Sequence, residues 1–245
     1  MKCFVVNLDR DKERLEATRA LFASAGMDIE RVSAVDVRSM TAAQLREACP
    51  GFRFYLANAR RVKPGEIGCA LSHRKAWETL ASRGLPLAAV FEDDILADMD
   101  RLREHLASIE ATDDPLVPTV WLMNRGLPRP EGASGIWYDI RETKDVGRVW
   151  STFCYALNAA AAKRLVRILT PMANVVDAWS TYARCGVRVL AATEAFATTR
   201  GVPSTLMKND DPLWRRAWFR RFYWFRYRIA FWTDLFLKSL EIPRQ

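Results

Sequence analysis

Three successive carboxylates, Glu92, Asp93 and Asp94, follow directly on the apolar run Leu87-Ala88-Ala89-Val90-Phe91. Such a run reads as a short buried strand, so the acids are delivered to its C-terminal end, where open α/β sheets place their ligands. Carboxylates this close repel one another, and a hard divalent cation that also bridges to a diphosphate is the simplest way to keep them ionised. On an extended segment Glu92 and Asp94 point one way and Asp93 the other, a spacing that suits one ion held from one face. A helix N-terminus or a solvated turn accounts for an acidic triplet equally well, so both readings stay open.

Other chemistries are excluded by what the chain lacks. There is no GxxxxGK phosphate loop and no GxGxxG, which argues against a kinase or an ordinary dinucleotide enzyme. Ser72 and His73 are adjacent on a predicted helix, where neighbours diverge by ~100°, and no GxSxG elbow exists, so they are not a nucleophile and its base. The five cysteines form no CxxC pair and have no histidine spacing of the zinc type. They read as reduced, mostly buried thiols of a cytosolic protein. His105 falls on a polar amphipathic segment and reads as ordinary surface.

The elements that must position the acids alternate along the chain. Residues 3–8 and 29–35 read as strands, separated by a helix from Asp11 to Ala25 whose Leu15, Leu21 and Phe22 face inward and which Gly26 ends. Thr41 opens a short helix through Ala48. Pro64-Gly65 starts a helix from about Glu66 to Arg83, closed by Gly84-Leu85-Pro86. Within it Gly65, Gly68 and Ser72 form a small-residue surface that lets a ligand or another backbone approach. Residues 119–123, 150–157 and 187–191 read as further strands. Asn158 caps a helix from Ala159 to Leu169, and Pro128 to Gly147 is the longest predicted loop. Strands separated by helices predict an α/β sandwich with a mostly parallel central sheet.

At 245 residues, 50% of them hydrophobic, the chain suffices for one domain of roughly 200 residues plus an appendage. The expected division is a catalytic domain over residues 1–205 and a basic aromatic tail over 206–245. From Trp214 to Trp232 the sequence interleaves six arginines with ten aromatics and contains no acid. Trp214, Trp218, Phe222, Phe225, Ile229, Trp232 and Phe236 recur at helical spacing as one stripe. With a formal net charge of +8, this density suits the headgroup zone of an anionic membrane better than nucleic acid, which is not an expected partner. A C-terminal helix packed on the domain is the structural alternative. Only Lys2 and a four-residue apolar run precede Asn7, too short for a signal peptide, and no apolar stretch approaches the ~20 residues of a membrane span. The expectation is a cytoplasmic protein bound peripherally to the inner face of the membrane.

Four motifs in order, Asn7-Leu8-Asp9-Arg10 with Arg14 following, GEIGCALSH over residues 65–73, Phe91-Glu92-Asp93-Asp94, and Val176-Asp177, together resemble glycosyltransferase family 25. That family includes bacterial lipooligosaccharide galactosyltransferases and the related collagen galactosyltransferases. The resemblance spans roughly residues 2 to 200. It implies a GT-A-like, Rossmann-type nucleotide-sugar domain that transfers a hexose with inversion, usually galactose from UDP-galactose. It makes Glu92-Asp93-Asp94 similar to the element that holds Mn²⁺ or Mg²⁺ against the donor diphosphate, with Asp94 the first ligand and Glu92 the second. Asn7, Arg10, Arg14, Asp36, Glu66, Ser72, His73 and Asp93 become candidates for the donor pocket. For Arg10 a solvated helix N-terminus, and for His73 an interior hydrogen-bond network, remain equal alternatives. Inversion also needs a base, and Asp177 is the candidate, with a helix N-cap as the other reading. Both histidines precede residue 110, so a third metal ligand from the C-terminal half, common among GT-A enzymes, is not a histidine here. The implied acceptor is a lipid-linked oligosaccharide. A sugar nucleotidylyltransferase-like enzyme and a noncatalytic membrane-surface binding protein are the alternatives.

Overall fold

The computed structural model describes residues 1–124, 130–143, 147 and 149–200. The tail expected over residues 206–245 lies outside them. Among the described residues no helix is long and apolar enough to cross a membrane.

The central sheet has seven strands. In chain order they are β1 (Lys2–Asn7), β2 (Glu30–Ser33), β3 (Leu87–Glu92), β5 (Thr119–Leu122), β6 (Trp137–Asp139), β7 (Cys154–Asn158) and β8 (Arg188–Ala192). A separate two-stranded ribbon pairs β4 (Ile95–Ala97) with β9 (Ala197–Thr199). The sheet order is β2-β1-β3-β7-β5-β8-β6. β1 is parallel to β2 and to β3, and β5 to β8, while β7 and β6 run against their neighbours. The mostly parallel α/β sheet expected from the sequence is therefore present.

Helices cover both faces. On one lie α4 (Pro64–Ser82) and α6 (Ala159–Leu169), whose Ile67, Trp77, Leu80 and Leu165 pack with Phe4, Val6, Val90 and Tyr155 of the strands. On the other lie α1 (Lys12–Ser24) and α5 (Met99–Thr112), whose Leu15, Phe22, Leu102 and Ile109 meet Cys3, Val5, Phe91 and Trp121. The alternation Cys3, Val5 against Phe4, Val6 is the period-two pattern of a strand buried on both sides. Short helices α2 (Ala42–Ala48) and α3 (Gly51–Asn58) bridge from β2 to α4, and α7 (Trp179–Arg184) precedes β8.

Local chemistry explains the boundaries. Thr41 and Gln44 form a reciprocal capping box at α2, and the Asn158 side chain accepts from the Ala161 amide at the start of α6. Gly26, at φ +67, follows the end of α1 in the left-handed region that glycine adopts without strain. Three expectations need correction. The strand expected from Trp150 begins at Cys154, because residues 150–153 are used as a loop. The long loop around residue 137 contains β6, which pairs with β8. His105 is not surface: it is 7% exposed, its ring packed against Phe196 and Trp137.

Candidate active site

The C-terminal ends of β1, β2 and β3 emerge at one edge of the sheet. Because β7 is antiparallel to β3, the loop leading into it arrives at that same edge, where Phe153 O accepts from the Glu92 amide at 3.0 Å. A cleft of about 890 Å³ opens there. All eleven sequence-predicted residues line it: Asn7, Arg10 and Arg14 from the β1–α1 segment, Asp36 after β2, Glu66, Ser72 and His73 from α4, the acids 92–94, and Asp177 before α7.

The acidic cluster does not alternate as an extended strand would. β3 ends at Glu92, and Asp93-Asp94 form a turn, so Asp93 and Asp94 are brought together while Glu92 looks elsewhere. One Arg14 nitrogen, Nη2, lies 2.7 Å from Asp93 Oδ1 and 3.0 Å from Asp94 Oδ2. The other Asp93 oxygen accepts from Asn7 Nδ2 at 2.7 Å. The turn is also fastened through its backbone: Thr18 Oγ1 donates to Asp93 O at 2.8 Å and the Arg200 amide to Asp94 O at 2.8 Å. Glu92 faces α4 and the β7 loop, accepting from Thr152 Oγ1 at 2.7 Å with His73 Nε2 at 3.5 Å.

Burial pushes the Asp93 and Asp94 carboxyls above the ordinary aspartate range. Asn7 and Arg14 oppose this at Asp93, and the nearby Glu92 charge adds to it at Asp94. Burial acts on Glu92 in the same direction, yet the hydrogen bonds from His73 and Thr152 and the His73 charge outweigh it and hold the carboxyl below the usual glutamate range. Among the described residues, two buried polar atoms at this place have no hydrogen-bond partner: Asp94 Oδ1 and Arg14 Nε. An unmet acceptor on an acid beside an unmet donor on a base suits a ligand that brings a cation and an anion together. The all-oxygen donor set of the turn fits a hard divalent ion such as Mn²⁺ or Mg²⁺.

His73 is 1% exposed and belongs to a buried relay. Trp77 Nε1 donates to Tyr155 Oη at 2.8 Å, and Tyr155 Oη lies 2.9 Å from His73 Nδ1. Tyr155 Oη links Trp77 to His73 Nδ1, and His73 Nε2 faces Glu92 Oε1 across 3.5 Å. The interior-network alternative for His73 thus holds together with its place in the cleft wall. Cys69 sits one helical turn before His73. Its sulfur, a His73 ring nitrogen and a Glu92 oxygen lie within 4.8 Å of one another, a grouping that no zinc-type spacing in the sequence marks. Burial keeps the Cys69 thiol well above its ordinary range, and the relay already employs the histidine.

Several candidates are committed to holding the walls. Glu66 uses both oxygens on Arg60, at 2.8 and 2.5 Å, and accepts from the Lys63 amide at 2.8 Å. Ser72 Oγ accepts from the Val35 amide at 2.8 Å and donates to Gly68 O at 2.6 Å. The small-residue surface of α4 therefore receives another backbone: a Cβ on Gly68 would stand 2.9 Å from Val37 Cγ1 and 3.0 Å from Val35 O. That contact places Asp36, which caps a 3-10 turn and pairs with Arg10 and Arg38.

Asp177 is not a helix N-cap. Ala178 occupies that position without a side-chain cap, and the Asp177 carboxylate instead accepts from the Ser151 amide at 3.3 Å. Burial raises its pKa, with the Ser151 amide acting against this and the Glu92 charge adding to it. Tyr155, Thr152, Cys69 and the 150–153 loop were not among the sequence candidates. The partners of Tyr155, Thr152 and the 150–153 loop are tens of residues away in the chain, and no local pattern marks them; Cys69 lies inside the GEIGCALSH motif, four residues before His73.

Residues 1–117 match the family described as glycosyltransferase family 25 (LPS biosynthesis protein). Among curated proteins the chain is 30% identical over 172 residues to a "Probable inactive glycosyltransferase 25 family member 3" of Bos taurus, covering 66% of this chain and 28% of that protein. It is 31% identical over 114 residues to "Procollagen galactosyltransferase 2" of Mus musculus, covering 45% of this chain and 18% of that protein. The chain thus spans less than a third of the length of these relatives. Among solved structures, S. aureus TarS 1-349 aligns over 80% of this chain and 60% of that one, at 12% identity and a TM-score of 0.46. The motifs at Asn7-Arg10, GEIGCALSH and the acidic turn all fall inside the matched segment, and over residues 1–117 this chain is similar to glycosyltransferase family 25.

Proposed function

We propose that this protein is an inverting, divalent-metal-dependent glycosyltransferase that moves a hexose, galactose by its resemblance, from a UDP-sugar to a hydroxyl of a lipooligosaccharide-type acceptor at the cytoplasmic face of the membrane. The observation that carries the reading is the pair of unmet groups at the acidic turn, Asp94 Oδ1 and Arg14 Nε. A cation on the first and a phosphate oxygen on the second would satisfy both. Asp94, with Asp93 beside it in the turn, would hold the ion, whereas Glu92, expected from the sequence as the second ligand, is turned to Thr152 and His73. When bound the ion neutralises negative charge on the diphosphate as that group departs.

The protein's own residues do the rest. Asn7 and Thr18 keep the Asp93-Asp94 turn fixed, so the donor meets a preorganised surface. Arg14 offers its guanidinium to the diphosphate. Arg10 and Asp36, paired at the mouth on the β2 side, line the donor end. Asp177 takes the proton of the acceptor hydroxyl while its oxygen forms the new bond to the anomeric carbon. The bond from that carbon to the diphosphate oxygen breaks as UDP leaves with the electron pair. The raised pKa of Asp177 suits a base that must hold the proton it removes.

A noncatalytic reading draws on the relative whose name says probable inactive. The intact acidic turn and Asp177 favour catalysis. Incubating the purified chain with UDP- and GDP-hexoses, Mn²⁺ and a de-acylated lipooligosaccharide decides between them by mass spectrometry of the acceptor. A gain of one hexose that requires UDP-sugar and metal is the expected result. An acceptor unchanged under every donor, with protein that still sediments with anionic lipid, overturns the enzymatic reading.

A further inference from the structure

Trp150 stands at the cleft with no assigned part in the donor site. It lines the cavity and its residue is 45% exposed, unusual for so large an apolar group beside a catalytic carboxylate. The residues after it are fastened one by one. Ser151 sits at φ +94, a conformation that a non-glycine residue keeps only where its surroundings impose it. Those surroundings are present. Its carbonyl accepts from Trp179 Nε1 at 2.7 Å and Asn124 Nδ2 at 3.1 Å, and its amide donates to Asp177. Thr152 is bonded to Glu92 and Phe153 O to the Glu92 amide. The strained, locked segment holds Trp150 one residue before the Ser151 amide that contacts Asp177, exposed at the cleft.

Sheet order says which substrate that place serves. β3, with the acidic turn at its end, lies between β1 on one side and β7 on the other. The donor candidates Asn7, Arg14 and Asp36 come from the β1 and β2 side, whereas Trp150 and the Asp177 contact belong to the β7 side. A pyranose ring carries a face of C–H groups flanked by hydroxyls, and a tryptophan offers a flat apolar surface of matching size at little entropic cost. We propose that Trp150 is the stacking platform for the acceptor hexopyranose, seating it so that one hydroxyl reaches Asp177. This rests on the glycosyltransferase reading and assigns its acceptor subsite.

The test is saturation-transfer difference NMR of methyl β-D-glucopyranoside and methyl β-D-galactopyranoside on the protein with UDP and Mg²⁺, for wild type, Trp150→Phe and Trp150→Ala. UDP-induced thermal shifts are measured on the same samples. Ring C–H enhancements are expected in wild type, retained in Trp150→Phe, and reduced about fivefold in Trp150→Ala, with the UDP shift equal in all three. The proposal is overturned if wild type gives no enhancement, if Trp150→Ala keeps it, or if Trp150→Ala loses the UDP shift, which would make the ring a platform for uracil. Enhancement lost in Trp150→Ala with no UDP shift in any protein would uphold the sugar platform and sink the donor assignment.

Discussion

Asp177, the base of the proposed mechanism, has its environment set by neighbours that lie far from it in sequence. Burial raises its pKa, and the Ser151 amide offsets only part of that rise. The base must be ionised to accept the acceptor's proton, so the acid limb of kcat/KM is expected above the ordinary aspartate range of about 4, measured across pH 4 to 9. Asp177→Asn should lose about 10²–10⁴ of the turnover while UDP affinity stays near wild type. Near-wild-type turnover in that variant removes Asp177 from the mechanism. The sequence marked this residue as a base or an N-cap with equal force, because the Ser151 contact that separates the two spans 26 positions. The acidic triplet was legible as a cluster, yet its internal geometry was not. Alternation applies along an extended strand, and here the strand stops at Glu92, so Asp93 and Asp94 share Arg14 while Glu92 turns to Thr152 and His73.

At the scale of elements, α4 carries one wall of the cleft and its glycine sets the wall's distance from β2. A Cβ at residue 68 would meet the stiff Val37 side chain and the Val35 carbonyl, so Gly68→Ala must push α4 away from the segment bearing Asp36. Overpacking of about 1–3 kcal/mol exceeds the ~1 kcal/mol that alanine contributes to a helix interior. The expected net loss is about 1 kcal/mol by urea denaturation, with weaker UDP binding. Equal or greater stability would show that the contact is slack. Elements with their own punctuation were readable in the chain: α1 with Gly26 behind it, α2 with Thr41 and Gln44, α6 with Asn158. The ones that escaped depend on partners elsewhere. The ribbon strands β4 and β9 are three residues each and exist through their mutual pairing. α3 begins at Pro50-Gly51, a pair that reads locally as a turn, and is held by the burial of Phe54.

For the whole molecule, the sheet order gathers four sequence-distant motifs at one edge, which is why the resemblance spread over the chain condenses into one cleft. The basic aromatic tail adds a separate expectation for location. Full-length protein should sediment with anionic liposomes and be released by raised salt, whereas a chain ending at Asp211 should stay in the supernatant. Equal sedimentation of the two would assign any membrane contact to the domain. The claim on which the rest depends is that the acidic turn binds a divalent cation together with a nucleoside diphosphate. Calorimetric titration of UDP into wild type and Asp94→Ala, each with and without Mn²⁺, tests it most directly. The account predicts that Mn²⁺ tightens UDP binding about tenfold or more in wild type and leaves Asp94→Ala unchanged. UDP binding that ignores the metal in wild type, or a metal effect that survives in Asp94→Ala, would contradict it.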